Sequence, residues 1–357
     1  MSPCFICTGR EEMDFTKCER LLADALQNGV FPCYAAAVGR GDEVWFLKAE
    51  GCRALYPEKR PITKDTLFDM ASLSKLIGTT MATLRLIEDG KLALFDSLGA
   101  FFDDCHGKEN LTIRELMTHT SGISAHIPLY TRRIRPEGAA DLILREPLSY
   151  PTGSETVYSC MGYILLGKIL EKMEGEPLDL IVKRLVLDPL SMKESCYRPK
   201  AGTVCAATEL DPVTGAYIDG VVHDENARFL GGVSGNAGLF CTLNDTVRFA
   251  QMLSRRGRGF LSPRMFELAV TDFTPACEES RGLGFQLYGG KRFPGGDLMS
   301  PGSYGHTGFT GTSVYVDNKT GVYVVLLTNR VHPSREDNRI IAFRRHFHNT
   351  VFASLEE

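Results

Sequence analysis

Apolar residues recur at helical spacing near both ends of the chain. Near the start they predict an amphipathic helix that Gly29 ends, and its apolar positions are Phe15, Cys18, Leu21, Leu22, Ala25 and Leu26. Near the other end a helix is predicted over about 334–354, with these apolar residues mainly on one side: Ile340, Ile341, Phe343, Phe347 and Val351. The middle of the chain, about 71–230, is dominated by helical patterns, such as those over 74–89, 111–118 and 161–174.

Two hairpins are predicted outside this helical middle. Residues 33–38 and 43–49 are rich in Ala, Val and aromatic side chains and flank the turn Gly39-Arg40-Gly41-Asp42. Residues 312–317 and 322–328 flank the turn Asn318-Lys319-Thr320-Gly321 in the same way. The strand that begins at Val322 is apolar enough to lie centrally in a sheet.

Together these elements predict an α+β fold, in which an antiparallel β-sheet is flanked by N- and C-terminal helices and a largely helical domain is inserted. The sheet domain would comprise residues 13–70 and 231–357, and the helical domain would comprise residues 71–230. Residues 1–12 are predicted to be a flexible tail. The sequence contains no internal repeat and no low-complexity tract.

Composition and charge narrow the class of protein. At 357 residues, with 43% hydrophobic and 24% charged residues, the chain is typical of a water-soluble globular protein. The net charge of -4, without a basic block, argues against a nucleic-acid partner. No stretch approaches the roughly 20 apolar residues of a membrane helix, and the N-terminal sequence lacks a secretory signal. We therefore expect no membrane partner and a cytoplasmic location; the oligomeric state is left open.

The eleven cysteines are odd in number and scattered, so they are interpreted as buried or free thiols rather than as a disulfide framework. The one close pair, Cys4 and Cys7, has no second Cys/His pair nearby to complete a tetrahedral metal site. No metal site and no cofactor are predicted.

Ser72 and Lys75 are the first candidates for chemistry. They lie at or near the start of a predicted helix, and a spacing of three residues places them side by side. A serine hydroxyl is a poor nucleophile until a base lies within hydrogen-bond reach, and a lysine of lowered pKa can serve as that base. The alternative is a helix N-cap followed by a solvated lysine, because this spacing also occurs by chance.

Two further segments follow Ser72 and Lys75 along the chain. They are Tyr158-Ser159-Cys160, before the helix predicted over 161–174, and His306-Thr307-Gly308, before the C-terminal hairpin. With Ser72-x-x-Lys75 they resemble the motifs of the penicillin-recognising serine hydrolases, specifically the branch of class C β-lactamases, D,D-peptidases and related esterases. The segments His119-Thr120-Ser121-Gly122 and Gly235-Asn236-Ala237-Gly238 extend the resemblance over roughly residues 30–330.

The resemblance implies a role for each matching position. Ser72 would be acylated in a cleft between the two domains, and Lys75 and Tyr158 would share the general acid and base work. The backbone amides of Ser72 and Phe309 would form the oxyanion hole. Tyr158 could instead be an aromatic residue at the edge of the core, and His119 is expected to be structural.

Two positions depart from the β-lactamase pattern. His306 replaces a lysine, which weakens recognition of an anionic substrate, because the charge of a histidine depends on its surroundings. Cys160 replaces an asparagine and offers only a weak hydrogen-bond donor; it could equally be a small buried apolar residue. The polar segment 222–227, with His223 and Asp224, could line the cleft or form a turn with an Asx-type bond.

These features predict a serine hydrolase that forms an acyl-enzyme on Ser72, with small esters as substrates and amides or D-amino-acid peptides next. One alternative is β-lactamase or D-alanyl-D-alanine carboxypeptidase activity, with binding of penicillin. A second alternative, from another class, is a catalytically silent scaffold protein that keeps the fold.

Overall fold

The computed structural model describes residues 13–289 and 293–355. The predicted tail 1–12, with Cys4 and Cys7, lies outside the described residues. The strands are β1 (Cys33–Arg40), β2 (Glu43–Ala54), β3 (Arg60–Pro61), β4 (Phe68–Asp69), β5 (Cys196–Tyr197), β6 (Leu239–Cys241), β7 (Gln286–Leu287), β8 (Tyr304–Thr307), β9 (Ser313–Val316) and β10 (Val322–Thr328).

The α-helices alternate with shorter helical turns. The α-helices are α1 (Thr16–Gln27), α2 (Met81–Glu88), α3 (Ile113–Met117), α4 (Ala139–Arg145), α5 (Cys160–Glu174), α6 (Leu178–Val182), α7 (Glu225–Phe229), α8 (Leu243–Ser254), α9 (Pro263–Ala269) and α10 (Arg339–Ala353). π-Helical turns span Lys75–Thr80 and Lys183–Leu187, and 3-10 turns span Leu98–Ala100, Leu129–Thr131 and Pro136–Gly138.

The main sheet is antiparallel and joins both ends of the chain. Its strand order is β3-β2-β1-β10-β9-β8-β7, so β1 pairs with β2 on one side and with β10 on the other. Both predicted hairpins are confirmed, and β10 occupies the central position that its apolar sequence predicts. A second, three-stranded sheet has the order β4-β6-β5.

Strand β1 is buried on both faces because each face packs against a different core. Cys33, Ala35 and Ala37 face the large core that the central helices build, whereas Tyr34 and Ala36 face a smaller core beneath α1 and α10. This division follows from the two-residue period of a strand. The predicted helices at both termini therefore flank one face of the sheet, as expected.

The predicted division into two domains is not tested by this arrangement and stays a prediction. Its first boundary, at residue 70, follows directly after β4, in the turn that carries Ser72. Each described cysteine is an unpaired thiol. No helix in the described ranges is long and apolar enough to cross a membrane.

The C-terminal helix begins later than predicted, at Arg339 rather than near residue 334. The segment before it is held in another conformation, because the carbonyls of Arg335 and Asp337 accept hydrogen bonds from the Arg330 guanidinium. Ile341 was expected on the apolar side, but it is 50% exposed. The other four predicted apolar positions of this helix are buried, as expected.

Candidate active site

Ser72 follows β4 through a tight turn. The backbone at Ala71 has a φ of 45°, a left-handed conformation that residues other than glycine rarely adopt. The buried Asp69 carboxylate fixes this turn, since its Oδ1 accepts a hydrogen bond from the Ala71 amide at 2.8 Å. Its Oδ2 accepts one from the His223 amide at 2.7 Å. The turn presents Ser72 as a partly exposed residue just before the π-helical turn.

Lys75 contacts Ser72 directly, as their spacing predicts. Its Nζ donates a hydrogen bond to Ser72 Oγ at 3.0 Å and another to the Asn236 carbonyl at 2.9 Å. Lys75 is 1% exposed, so it is not the solvated surface lysine of the alternative interpretation. The Asn236 carbonyl belongs to the glycine-rich segment 235–238, so this contact holds that segment beside Lys75.

Tyr158 covers Lys75, with the Lys75 Nζ 5.0 Å from the centre of its ring. The ring of His119 packs against Tyr158 at 4.5 Å between centroids, and His119 Nδ1 accepts a hydrogen bond from the Ser159 amide. His119 thus positions the Tyr158 segment, which agrees with the structural role predicted for it. Tyr158 Oη is buried and makes no well-formed hydrogen bond within the described residues.

Both Lys75 and Tyr158 hold their protons in the resting protein. Burial lowers the pKa of Lys75, but the ionisable groups of Cys160 and Tyr158 beside it outweigh that effect and raise the pKa above its ordinary value. Burial also raises the pKa of Tyr158, and the neighbouring Lys75 offsets this only in part. The pair is therefore an ammonium ion beside a neutral phenol near neutral pH.

His306 is buried and uncharged. Burial lowers its pKa to about 3, and the positive charges of Arg281 and Lys75 act in the same direction. Its Nδ1 lies 2.7 Å from the Thr307 carbonyl oxygen, and because a carbonyl can only accept, Nδ1 carries the ring proton. The position occupied by lysine in β-lactamases is thus neutral in this chain.

The turn between β8 and β9 is clamped onto the strand that precedes Ser72. Thr310 Oγ1 donates to the Asp69 carbonyl at 2.7 Å, and Thr312 Oγ1 donates to the Met70 carbonyl at 3.2 Å. Gly308 fits between them, because a Cβ atom on it would lie 2.5 Å from the Met70 carbonyl oxygen. This close approach requires a glycine in the third position of the His306 motif.

Phe309 is the next residue of this turn. Its ring is 47% exposed, yet it stacks on the His223 ring at 5.7 Å and beneath the Arg330 guanidinium at 4.3 Å. Arg330 Nε also donates to the Phe309 carbonyl at 2.8 Å. Across the described chain, neither the Phe309 amide nor the Ser72 amide has a backbone acceptor, so both are available to a ligand.

The remaining candidates have simpler surroundings. Cys160 is half-buried at the first residue of α5 and packs against the large core, next to Ser159, which caps that helix. Asp224 is the N-cap of α7, because its Oδ1 accepts a hydrogen bond from the Ala227 amide at 2.7 Å. Over residues 13–289 and 293–355 no group of three or more His, Cys, Asp or Glu side chains could hold a metal ion.

A cavity of about 380 Å³ lies beside Ser72, and neither Lys75 nor Cys160 lines it. Ser72 and Tyr158 line it together with the whole predicted segment from His306 to Phe309. Three arginines that sequence reasoning missed also line it: Arg281, Arg330 and Arg344. They carry no motif, and Arg344 in particular resembles any polar residue of an amphipathic helix in the sequence.

Comparison with known proteins identifies the family of this chain. The family model described as "Beta-lactamase" matches residues 18–347. The chain belongs to the β-lactamase family. This family member is 30% identical over 325 residues to N-acetylmuramyl-L-alanine amidase of Bacillus subtilis (strain 168), covering 80% of this chain and 72% of the relative. It is 31% identical over 346 residues to "Putative D-alanyl-D-alanine carboxypeptidase" of Escherichia coli (strain K12), covering 85% and 79%.

Among solved structures, the β-lactamase family member resembles "EstCE1, a hydrolase with promiscuous acyltransferase activity", with a TM-score of 0.77. The two share 21% identity, and the match covers 94% of this chain and 97% of that one. At this identity the likeness shows the fold alone. The predicted α+β class is thus confirmed as the β-lactamase and transpeptidase-like fold, and the chain is a serine hydrolase of the β-lactamase type.

Proposed function

We propose that this enzyme hydrolyses small esters and amides through an acyl-enzyme on Ser72. The observation that carries the proposal is the contact of Lys75 Nζ with Ser72 Oγ at 3.0 Å beneath the Tyr158 ring. A serine in such a contact has the Lys75–Tyr158 pair, which becomes a base once it loses a proton, on one side and the open cavity on the other. The relatives named as an amidase and a carboxypeptidase favour carbonyl substrates of this kind.

The proposed reaction begins when the pair of Lys75 ammonium and Tyr158 phenol has lost one proton to solvent. Ser72 Oγ then forms a bond to the substrate carbonyl carbon and gives its proton to the pair. The Ser72 and Phe309 amides would stabilise the negative oxygen that develops. As the bond to the leaving group breaks, the pair returns the proton to that group, and a water molecule releases the acyl group by the same steps.

The test is turnover of a chromogenic ester, p-nitrophenyl acetate, by wild type and by Ser72→Ala. We expect kcat to fall on the order of 10³-fold or more, because the nucleophile is lost. Ser154→Ala is the matched control, since Ser154 lies exposed in the loop before Tyr158. A fluorophosphonate probe should label wild type on Ser72. Equal turnover in wild type and Ser72→Ala, or no label on Ser72, would overturn the proposal and favour a silent scaffold.

A second candidate function is D-alanyl-D-alanine carboxypeptidase or β-lactamase activity. The carboxypeptidase relative favours it, whereas the neutral His306 and the thiol at Cys160 offer a β-lactam fewer polar contacts. Mass spectrometry after incubation with benzylpenicillin decides the matter. An adduct on Ser72 or hydrolysis of the β-lactam ring supports this function. The absence of both excludes it. The cytoplasmic location stays a prediction.

A further inference from the structure

His223 is a buried histidine to which the proposed reaction gives no part. Its side chain is 4% exposed, and it does not line the cavity beside Ser72. It nevertheless contacts both segments that carry the proposed oxyanion donors, through its backbone on the Ser72 side and through its ring on the Phe309 side. These two contacts give His223 a use that the sequence alone does not show.

The backbone of His223 is tied to the segment that leads into Ser72. Its amide donates a hydrogen bond to Asp69 Oδ2 at 2.7 Å, and Asp69 Oδ1 accepts one from the Ala71 amide at 2.8 Å. Asp69 is only 2% exposed, so these bonds form in the low-dielectric interior, where hydrogen bonds are stronger. One buried carboxylate therefore fixes the position of His223 relative to the residue before the nucleophile.

The ring of His223 is held against Phe309. The two rings stack with their centroids 5.7 Å apart and their planes 20° apart. His223 Nε2 lies 3.0 Å from Glu209 Oε2, and because an ionised carboxylate only accepts, Nε2 carries a proton in this contact. Arg335 Nε donates to the same Glu209 oxygen at 2.6 Å. The Arg335–Glu209 pair thus sets the plane in which the His223 ring meets Phe309.

Phe309 depends on contacts of this kind, because its ring is 47% exposed while its amide must stay within about 2.7–3.1 Å of the oxyanion. A ring moves together with its Cα, so a contact that holds the ring also restricts the backbone. Arg330 supports Phe309 as well, but Arg330 is bound to the segment before α10. His223 is bound to the segment before Ser72, and it therefore relates the Phe309 ring to the nucleophile itself.

We propose that His223 is a positioning residue of the oxyanion hole. By stacking on Phe309 while its own amide is bound to Asp69, it keeps the Phe309 amide at the distance from Ser72 that the developing oxyanion requires. This inference rests on the proposed function, in which the Ser72 and Phe309 amides bind that oxygen. His223 exchanges no proton with the substrate. Its effect belongs in kcat rather than in KM, because oxyanion contacts strengthen in the transition state.

The test removes the ring and keeps the backbone amide. For His223→Ala we expect kcat for p-nitrophenyl acetate to fall about tenfold, with KM within about twofold of wild type. The loss should be smaller than the roughly 10²–10³-fold loss of an oxyanion donor, because the Phe309 amide remains. The rate of labelling by a fluorophosphonate, whose phosphoryl oxygen occupies the same hole, should fall by the same factor. His223→Gln has no ring but can still reach Glu209, and it should behave like His223→Ala.

A double-mutant cycle shows whether His223 acts through Phe309. Phe309→Leu removes the ring on which His223 stacks and keeps the Phe309 amide. If the stack carries the effect, His223→Ala should change kcat less than about twofold in the Phe309→Leu background. A tenfold loss that is the same in both backgrounds would show that His223 acts by another route, and the inference would be wrong.

His332→Ala is the matched control for the loss of a buried histidine ring. His332 is 2% exposed, and it hydrogen-bonds to the Thr208 carbonyl and the Leu55 amide away from the cavity. Its replacement should lower Tm and leave kcat per fluorophosphonate-labelled site unchanged. An unchanged kcat in His223→Ala, or an equal fall of kcat in His332→Ala, would overturn this inference alone. A wild type without turnover and without label would overturn the proposed function, and this inference with it.

Discussion

Lys75 and Tyr158 lie against Ser72 with their protons tightly held, so the resting site is not yet a base. Lys75 donates to the Ser72 oxygen it is meant to activate, and Tyr158 Oη is buried without a well-formed hydrogen bond. The phenol nevertheless lies within interaction range of both Lys75 and Ser72, the two groups between which a proton must move during acylation.

Tyr158→Phe separates the contribution of the phenol to the reaction from its contribution to stability. The ring and its packing on His119 remain, but the hydroxyl is removed. We expect kcat/KM for a chromogenic ester to fall on the order of 10²–10⁴-fold. The free energy of unfolding should change by less than about 1 kcal/mol, because the lost hydroxyl makes no well-formed hydrogen bond. Steady-state kinetics and urea denaturation measure the two effects.

Tyr163→Phe is the matched control. The Tyr163 hydroxyl does have partners, Thr80 Oγ1 at 3.2 Å and the Met117 carbonyl at 3.4 Å. Its loss should therefore cost about 1 kcal/mol of stability and leave turnover nearly unchanged. If Tyr158→Phe behaved like Tyr163→Phe, Tyr158 would be an ordinary core-edge aromatic residue.

Single residues were predictable from the sequence where order and spacing carried information. Ser72 and Lys75 lie three residues apart, and Tyr158 and His306 follow in the order of a known family, so the sequence predicts that they meet at one site. Arg344 could not be found in this way. Whether a helical arginine faces water or a cavity depends on the rotation of α10 against the sheet, which the spacing of its apolar residues does not define closely enough.

The β8–β9 turn is the element that couples the sheet to the nucleophile. Through Thr310 and Thr312 it binds the carbonyls of β4 and of the residue after it, while Phe309 at its tip contributes an unpaired amide. Because the turn bonds to the strand that leads into Ser72, the two proposed oxyanion donors are held at a fixed separation. The chemistry therefore depends on contact between two segments that are far apart in sequence.

Gly308→Ala tests this coupling. The new Cβ would meet the Met70 carbonyl oxygen at 2.5 Å, and a backbone atom cannot move aside as a flexible side chain can. The turn should shift away from Ser72, and displacements of about 1 Å cost on the order of 10²-fold in rate. We expect a loss of that size in kcat for a chromogenic ester.

Gly138→Ala serves as the comparison, because the nearest atom to a Cβ there is Ile134 Cβ at 3.8 Å. It should leave kcat unchanged. An unchanged kcat in Gly308→Ala would show that the turn tolerates displacement. The sequence predicts the β9–β10 hairpin well, whereas it places the start of α10 several residues too early. The Arg330 contacts that delay the helix join residues whose meeting no local pattern indicates.

At the scale of the whole molecule, buried neutral histidines make stability depend on pH. Burial lowers the pKa of His306 and of His348 to about 3 and lowers that of His119 well below 6.5. In the unfolded chain a histidine binds a proton near pH 6.5. Between these values the unfolded chain holds more protons, so stability is complete above pH 6.5 and is lost as the pH falls towards 3.

Each such histidine should contribute about 1.4 kcal/mol of lost stability per pH unit in this window. His348 lies on α10 and does not line the cavity, so His348→Leu removes one contribution without touching the proposed chemistry. Urea denaturation at pH 6, 5 and 4 should show a slope that is smaller by about that amount. The exposed His346 on the same helix provides the matched control, His346→Leu. A slope in His348→Leu equal to that of wild type would contradict the prediction.

The pairing of β1 with β10 has a consequence for folding during synthesis on the ribosome. The segment that carries Ser72 emerges early, but β1 lacks its central neighbour until β10 is synthesised, and the turn that clamps the nucleophile also comes late. Pairings so distant in sequence close slowly. A nascent chain would thus remain inactive towards esters during most of its synthesis, and hydrolytic competence would arrive together with the last strand of the sheet.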